Sequence, residues 1–282
     1  MPPETNDKAM LASLNRLVRA TEQAGDLAAL AEARARRAAH PNPLVRFGAK
    51  VWSQADEDGI TLEILRRMGI ATGTFAELGV GNGLENSTLA LLALGWRGVW
   101  LGGADLAFDP TGSERLAFRQ GWITPDTAPA LVRETLDRLD LTGWPDVLSV
   151  DLDGNDLHVA QALLGAGARP RLFLIEYNAR FVPPIRFCID ADPGHAWARD
   201  DYFGASLQSL ADMFGGFGYA CICCNAGSGA NAFFVQVGDL GLFPEVPGDL
   251  ALIHAEPNYR IPRGHGHPPS PRTIRKLIGL AP

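Results

Sequence analysis

The chain has 282 residues, 46% of them hydrophobic and 20% charged, with a mean hydropathy of zero. That length can build a sizeable core in one main domain. A net charge of −7 argues against a polyanionic partner, whether nucleic acid or an anionic membrane. Four cysteines are too few for a disulfide-stapled scaffold, and no apolar run approaches the roughly 20 residues that span a bilayer. The N-terminus lacks the basic and apolar regions of a signal peptide, so a reduced, cytoplasmic protein is expected.

Residues 1–45 read as a helical extension. Segment 8–39 is rich in Ala, Leu, Glu and Arg, and Leu11, Leu14, Leu17 and Val18 recur at helical spacing. Gly25 is expected to break it into two helices, and His40-Pro41-Asn42-Pro43 to stop it. The extension would pack on the main domain or on a second copy, so a homo-oligomer through the N-terminal helices is one expectation.

The main domain, 46–240, alternates helix and strand. Helices are predicted at 61–68, 85–95, 126–140 and 156–165, and strands at 74–79, 98–102, 117–124 (weaker), 146–151 and 171–177. Continuous apolar strands separated by helices indicate an α/β fold with a parallel sheet covered on both faces. A helix at 203–214 then leads to strands at 219–224 and 231–237, joined by the short glycine-rich NAGSGA connection of an antiparallel hairpin. Residues 241–282 form a Pro- and Gly-rich tail that is expected to be irregular.

The first strand runs into Glu77-Leu78-Gly79-Val80-Gly81-Asn82-Gly83. Glycines at alternate positions let the backbone turn sharply and let a ligand approach it closely. Leu84 breaks the dinucleotide pattern G-x-G-x-x-G, and no Gly-Lys-Ser/Thr follows to make a P-loop. The E-x-G-x-G-x-G turn resembles the first motif of class I S-adenosylmethionine (SAM) methyltransferases.

Further segments narrow the resemblance. Ser53-Gln54-Ala55-Asp56-Glu57-Asp58 precedes the loop, and Gly95-Trp96-Arg97-Gly98 follows it. Then come Asp151-Leu152-Asp153-Gly154-Asn155-Asp156, Tyr202-Phe203-Gly204-Ala205-Ser206 and Asn231-Ala232-Phe233-Phe234-Val235. In this order they are similar to the FkbM-type methyltransferases and to a group of bacterial methyltransferase-like proteins. The resemblance implies a Rossmann-like, mostly parallel sheet closed by an antiparallel hairpin. It implies SAM over the glycine loop, with Gln54, Glu77, Gly79, Gly81, Gly83, Asn86 and Asp105 as its binding residues. It also implies O-methylation of a hydroxyl on a sugar or another small-molecule acceptor. One departure stands out: Gly102 occupies the strand end where such enzymes carry the acid that holds the ribose, and Asp105 is the nearest substitute.

Two acidic clusters should lie beyond carboxyl ends of strands, where open α/β sheets bind ligands. Asp151, Asp153, Asn155 and Asp156 follow one strand, and Glu176 ends the next. Three readings stay open. Asp151 or Asp153 acts as a general base; Asp151, Asp153 and Glu176 hold a divalent ion such as Mg²⁺; or Asp156 caps the following helix while Asn155 turns the chain. An EF-hand is excluded, because Asp156 and Ala162 stand where its Gly and Glu are required.

His158 is a rim or catalytic candidate. Loop 179–202 mixes Arg, Phe, His and Trp as a lid would, and Asn178, Arg180 and Tyr202 are candidate acceptor contacts. Cys221, Cys223 and Cys224 alternate along one strand and are expected to be buried thiols. His265 and His267 in the tail are weaker metal or substrate candidates. Two other functions fit the same sequence: a non-catalytic assembly or binding protein, and a metal-dependent sugar- or nucleotide-processing enzyme.

Overall fold

A computed structural model describes residues 3–258 and 268–281. His265 and His267 lie outside the described residues. Among those described, seven strands form one sheet in the order β3-β2-β1-β4-β5-β7-β6. The strands are β1 (Thr74–Leu78), β2 (Arg97–Gly102), β3 (Leu116–Gln120), β4 (Val147–Val150), β5 (Leu172–Glu176), β6 (Tyr219–Cys224) and β7 (Asn231–Gln236). Strands β1 to β5 are parallel, while β7 runs antiparallel to both β5 and β6. This is the expected Rossmann-like α/β sheet.

Alternate strand residues feed two cores. Ala76, Leu78, Val99, Leu101, Leu148 and Val150 face one side, which is covered by α4 (Ala128–Asp137), α5 (Asp156–Gly165) and α6 (Leu207–Gly216). Phe75, Trp100, Val147, Leu172 and Leu174 face the other, with α2 (Glu57–Arg67), α3 (Leu89–Ala93) and a 3-10 turn at Pro43–Phe47. Burial on both faces explains why the strands are apolar throughout rather than alternating.

The ends of the chain depart from expectation. Helix α1 runs unbroken from Pro3 to Ala39, about 55 Å long. Gly25 does not break it. An interior glycine costs only about 1 kcal/mol relative to alanine, and the strong helix formers around it outweigh that. The second half of α1 docks on the main domain through Ala29, Ala33, the Arg36 bond to the Ala226 carbonyl and the Arg37–Asp56 ion pair.

The tail is less irregular than its composition suggests, because it carries α7 (Leu250–Ile253) and α8 (Pro271–Leu277). Ser270 caps α8, and the burial of Ile274 and Ile278 holds that helix in the core beside α2 and α3. The predicted helix over 85–95 shortens to α3, since residues 84–88 stay irregular.

Strict alternation of the cysteines is also overturned. A bulge between Cys221 and Cys223 shifts the register, so Cys221 and Cys224 share one core while Ile222 and Cys223 enter the other. All four cysteines are free thiols, and these three are buried.

Candidate functional site

Strand order reverses between β1 and β4, and their carboxyl ends meet there. Gly79 has φ +99°, and a Cβ on it would lie 1.5 Å from the Asp151 carbonyl oxygen. Only glycine permits that contact. The loop then turns onto β2: the amides of Gly79 and Val80 both donate to the Leu101 carbonyl, at 2.9 and 3.0 Å.

This seating explains the missing acid. A Cβ on Gly102 would stand 2.0 Å from the Val80 carbonyl oxygen, so the position has no room for any side chain. Gly83, at φ +78°, is packed against Leu106, Phe108 and Trp100. Gly81, by contrast, faces open space.

Glu77 is committed to the fold. It is buried, and its carboxylate accepts the Ser87 amide at 2.9 Å, the Thr88 amide at 3.0 Å and the Thr88 hydroxyl. That hydroxyl in turn accepts the Trp100 indole N–H at 2.8 Å. Asn86 also reaches Glu77. The glutamate therefore holds the irregular segment before α3, and neither it nor Asn86 lines a cavity described below. Asp105 is exposed and accepts the Gln120 amide at 3.0 Å, also away from those cavities.

Because β4 and β5 are neighbours, the acidic strand ends converge. Carboxylate oxygens of Asp151, Asp153 and Glu176 lie within 4.8 Å of one another. Glu176 Oε2 is buried and has no hydrogen-bond partner. Burial raises Asp151 well above the carboxylate range, and the charges of Asp156 and Asp153 add to that. Glu176 rises for the same reason, burial first and then Asp151. Asp153 adopts φ +53°, in the left-handed region that non-glycine residues seldom enter.

Asp156 does not join them. Fully buried, it accepts the Leu152 and Gly154 amides at 2.7 and 2.9 Å and folds the loop onto itself. Asn155, expected only to turn the chain, instead clasps the long loop: its Nδ2 donates to the Asp192 carbonyl at 2.7 Å, and its Oδ1 accepts the Asp192 amide at 3.3 Å.

The 179–202 loop forms a strap over this end of the sheet. His158 pins its middle, with Nε2 2.9 Å from the Ile189 carbonyl oxygen and 3.6 Å from Cys188 Sγ; it lines neither cavity. Trp122, after β3, donates to the Pro193 carbonyl. Just beyond these anchors, His195 packs on Gly154, where a Cβ would meet its ring at 2.3 Å. Its Nε2 is buried without a partner.

The strap divides the cleft. On one side, a cavity of about 150 Å³ is lined by Gly79, Gly102, Trp122, Asp151, Asp153 and His195. On the other, about 860 Å³ opens beyond β4 and β5, lined by Gln54, Asp153, Glu176, Asn178, Arg180 and Trp197 among others. Asp153 borders both.

Two of the acceptor candidates, Asn178 and Arg180, thus reach the large cavity. Asn178 also ties the loop, donating to the Asp201 and Phe203 carbonyls at 3.0 and 3.1 Å, and Arg180 pairs with Asp201 at 3.1 Å. Tyr202 lies outside that lining, and its hydroxyl accepts the Asp190 amide at 3.4 Å.

The Asp56-Glu57-Asp58 run is buried, lines neither cavity and is bonded into the fold. Asp58 Oδ2 accepts the amides of Val51, Trp52 and Ser53 at 2.7, 2.7 and 2.9 Å. Asp56 and Glu57 accept the Asn225 amide, and Glu57 also accepts that of Asn231 at 3.2 Å. These bonds bring Gln54 beside the β6–β7 connection. Burial first, then the charge of Asp56, pushes Glu57 up to about 7.

Trp122 is not singled out by sequence, and His195 reads only as one of the lid-loop residues. The one available cue is the turn-forming Asp192-Pro193-Gly194 before His195, within a loop too long to be a plain connection.

No helix among the described residues is long and apolar enough to cross a membrane. No family model and no curated protein matches the sequence. Solved structures with some likeness include MycE methyltransferase from the mycinamycin biosynthetic pathway (14% identity, TM-score 0.33, covering 61% of this chain and 43% of that one). They also include the glycopeptide N-methyltransferase MtfA (15% identity, TM-score 0.37, covering 64% and 87%). A third is an O-methyltransferase family 2 protein from Planctomyces limnophilus (14% identity, TM-score 0.32, covering 58% and 50%). The chain spans less than half the length of the MycE structures it matches. Likeness of this degree assigns neither activity nor substrate.

Proposed function

We propose that this chain is a class I SAM-dependent methyltransferase that methylates a hydroxyl of a small polar acceptor, of the FkbM type suggested by its motifs. The observation that carries the reading is the juxtaposition at the β1/β4 switch point: a bare glycine loop on one side, three converging carboxylates on the other, and a cleft between them. Open backbone at Gly81 and Gly103 suits a ligand that lies directly on the chain.

The residues fit a divalent ion. Three carboxylates offer an all-oxygen donor set of the kind Mg²⁺ and Ca²⁺ take, and a cation would satisfy the orphaned Glu176 oxygen and relieve the mutual repulsion. The fit to SAM is conditional on the strap, because 150 Å³ falls short of the roughly 300 Å³ at which small-molecule pockets begin. His195 lines that small cavity, so the strap sets its size.

When bound, SAM supplies the methyl group and a divalent ion lowers the pKa of the acceptor hydroxyl. The protein's own part is positioning and proton removal. Asp153, which borders both cavities and is the most exposed of the three acids, takes the hydroxyl proton as the new O–C bond forms and the S–C bond breaks. Arg180 and Trp197 orient the acceptor in the large cavity.

Calorimetric titration with SAM and S-adenosylhomocysteine, with and without Mg²⁺, tests the reading. Binding of both is expected, and no heat at millimolar ligand would overturn it. The small cavity beside Gly102 favours one other reading, a metal-dependent enzyme acting on a sugar or nucleotide in the large cavity without SAM. Turnover that requires Mg²⁺ and not SAM would establish that reading.

A further inference from the structure

We infer that two copies of this chain pair through the first half of α1, as an antiparallel helix pair centred on Leu14. The inference is independent of the proposed chemistry. From Lys8 to Gly25 every residue of α1 is exposed, so about 27 Å of helix stands clear of the domain that its second half docks against.

On that free half, Met10, Leu11, Leu14, Leu17 and Val18 are 70%, 58%, 54%, 65% and 47% exposed. Their spacing places them on one stripe, and a helix owes most of its stability in water to covering such a stripe. The stripe lies N-terminal to Ala29 and Ala33, through which α1 docks, so the chain's own domain does not cover it.

The sequence of the stripe favours a second copy as the partner. Met10 and Val18, and Leu11 and Leu17, stand at equal distances from Leu14. A twofold axis at Leu14 therefore sets leucine against leucine and methionine against valine, the self-complementarity an isologous contact requires. Charge selects the direction. In the antiparallel pair Glu22 of the partner copy comes within one turn of Lys8, whereas a parallel pair sets Lys8 level with Lys8. Covering five large apolar side chains from each copy would bury on the order of 1,000 Å², where specific interfaces begin.

Light scattering on the full-length chain at micromolar concentration should give twice the 30.2 kDa of the monomer. Leu14→Asp should give the monomer mass with an unchanged melting temperature, because the side chain touches nothing in its own domain. Oxidative cross-linking reads the register. Leu14→Cys should join to itself, since the two copies meet there within disulfide reach. Leu11→Cys should not, because its copies stand about 9 Å apart along the axis, yet it should join to Leu17→Cys in a mixture. A monomeric wild type, retained on anionic vesicles or not, would overturn the inference. So would Leu11→Cys cross-linking to itself as readily as Leu14→Cys, which marks a parallel pair.

Discussion

Replacing Gly102 by aspartate would supply the acid that the methyltransferases its motifs resemble carry at this strand end, yet here it should damage the protein. The new Cβ would lie 2.0 Å from the Val80 carbonyl oxygen, where ordinary contact needs more than 3.4 Å, so the glycine loop must lift by more than 1 Å. Lifting it breaks the two amide bonds to Leu101, at about 1 kcal/mol each. Overpacking adds about 1–3 kcal/mol. The sum, about 3–5 kcal/mol, corresponds to a fall of roughly 10 °C in melting temperature for a domain of this size. Gly103→Asp is the control, because its Cβ meets no atom within 4 Å, and a change under about 0.5 kcal/mol is expected. Circular-dichroism melts of the two variants, followed by SAM titration, would decide the matter. A Gly102→Asp protein that melts with the wild type, or binds SAM more tightly than it does, would show that the loop is not seated on β2.

Gly81→Val should leave the melting temperature within about 2 °C of wild type, since the side chain enters open space, while abolishing SAM binding in the same calorimeter. Asp153→Asn and Glu176→Gln should each weaken Mg²⁺ or Ca²⁺ binding at least tenfold, and unchanged isotherms would leave the acidic cluster without an ion. Asn155→Ala removes both bonds to Asp192 and should speed proteolytic cleavage within the strap at a stability cost of about 1–2 kcal/mol. Cation-free stability should fall as pH rises. Glu57, at 4.5 in the unfolded chain and about 7 in the fold, keeps its proton longer when folded, so its contribution is lost between those values at about 1.4 kcal/mol per pH unit. Asp151 and Glu176 act in the same sense. His254, held low by its burial, opposes them only below about 6.5. A melting temperature that climbs from pH 6.5 to 7.5 would contradict this assignment.

Much of the sheet was legible in the sequence, because each strand is a short apolar run with its own turn residues and parallel strands buried on both faces leave no ambiguity of period. The glycine loop and the β6–β7 hairpin were legible for the same local reason. Gly25 and the start of the 85–95 helix misled, since a local break or helix preference was outweighed by its neighbours or by the demands of Glu77. The cysteine alternation failed at a bulge, and no composition marks a bulge.

For the site, the sequence by itself determined which residue types stand at the strand ends. Tertiary structure decided what each is free to do. Asp151, Asp153 and Glu176 converge only because β4 and β5 are neighbours, a pairing between residues 25 apart in the chain. Glu77, Asp56, Asp58 and Asp156 looked equally available, yet each accepts backbone amides that the fold has removed from water and cannot leave unpaired. Gly102 read as a missing acid. Packed beneath the Val80 carbonyl, it is a position that no acid could occupy, and only three-dimensional contact could distinguish the two.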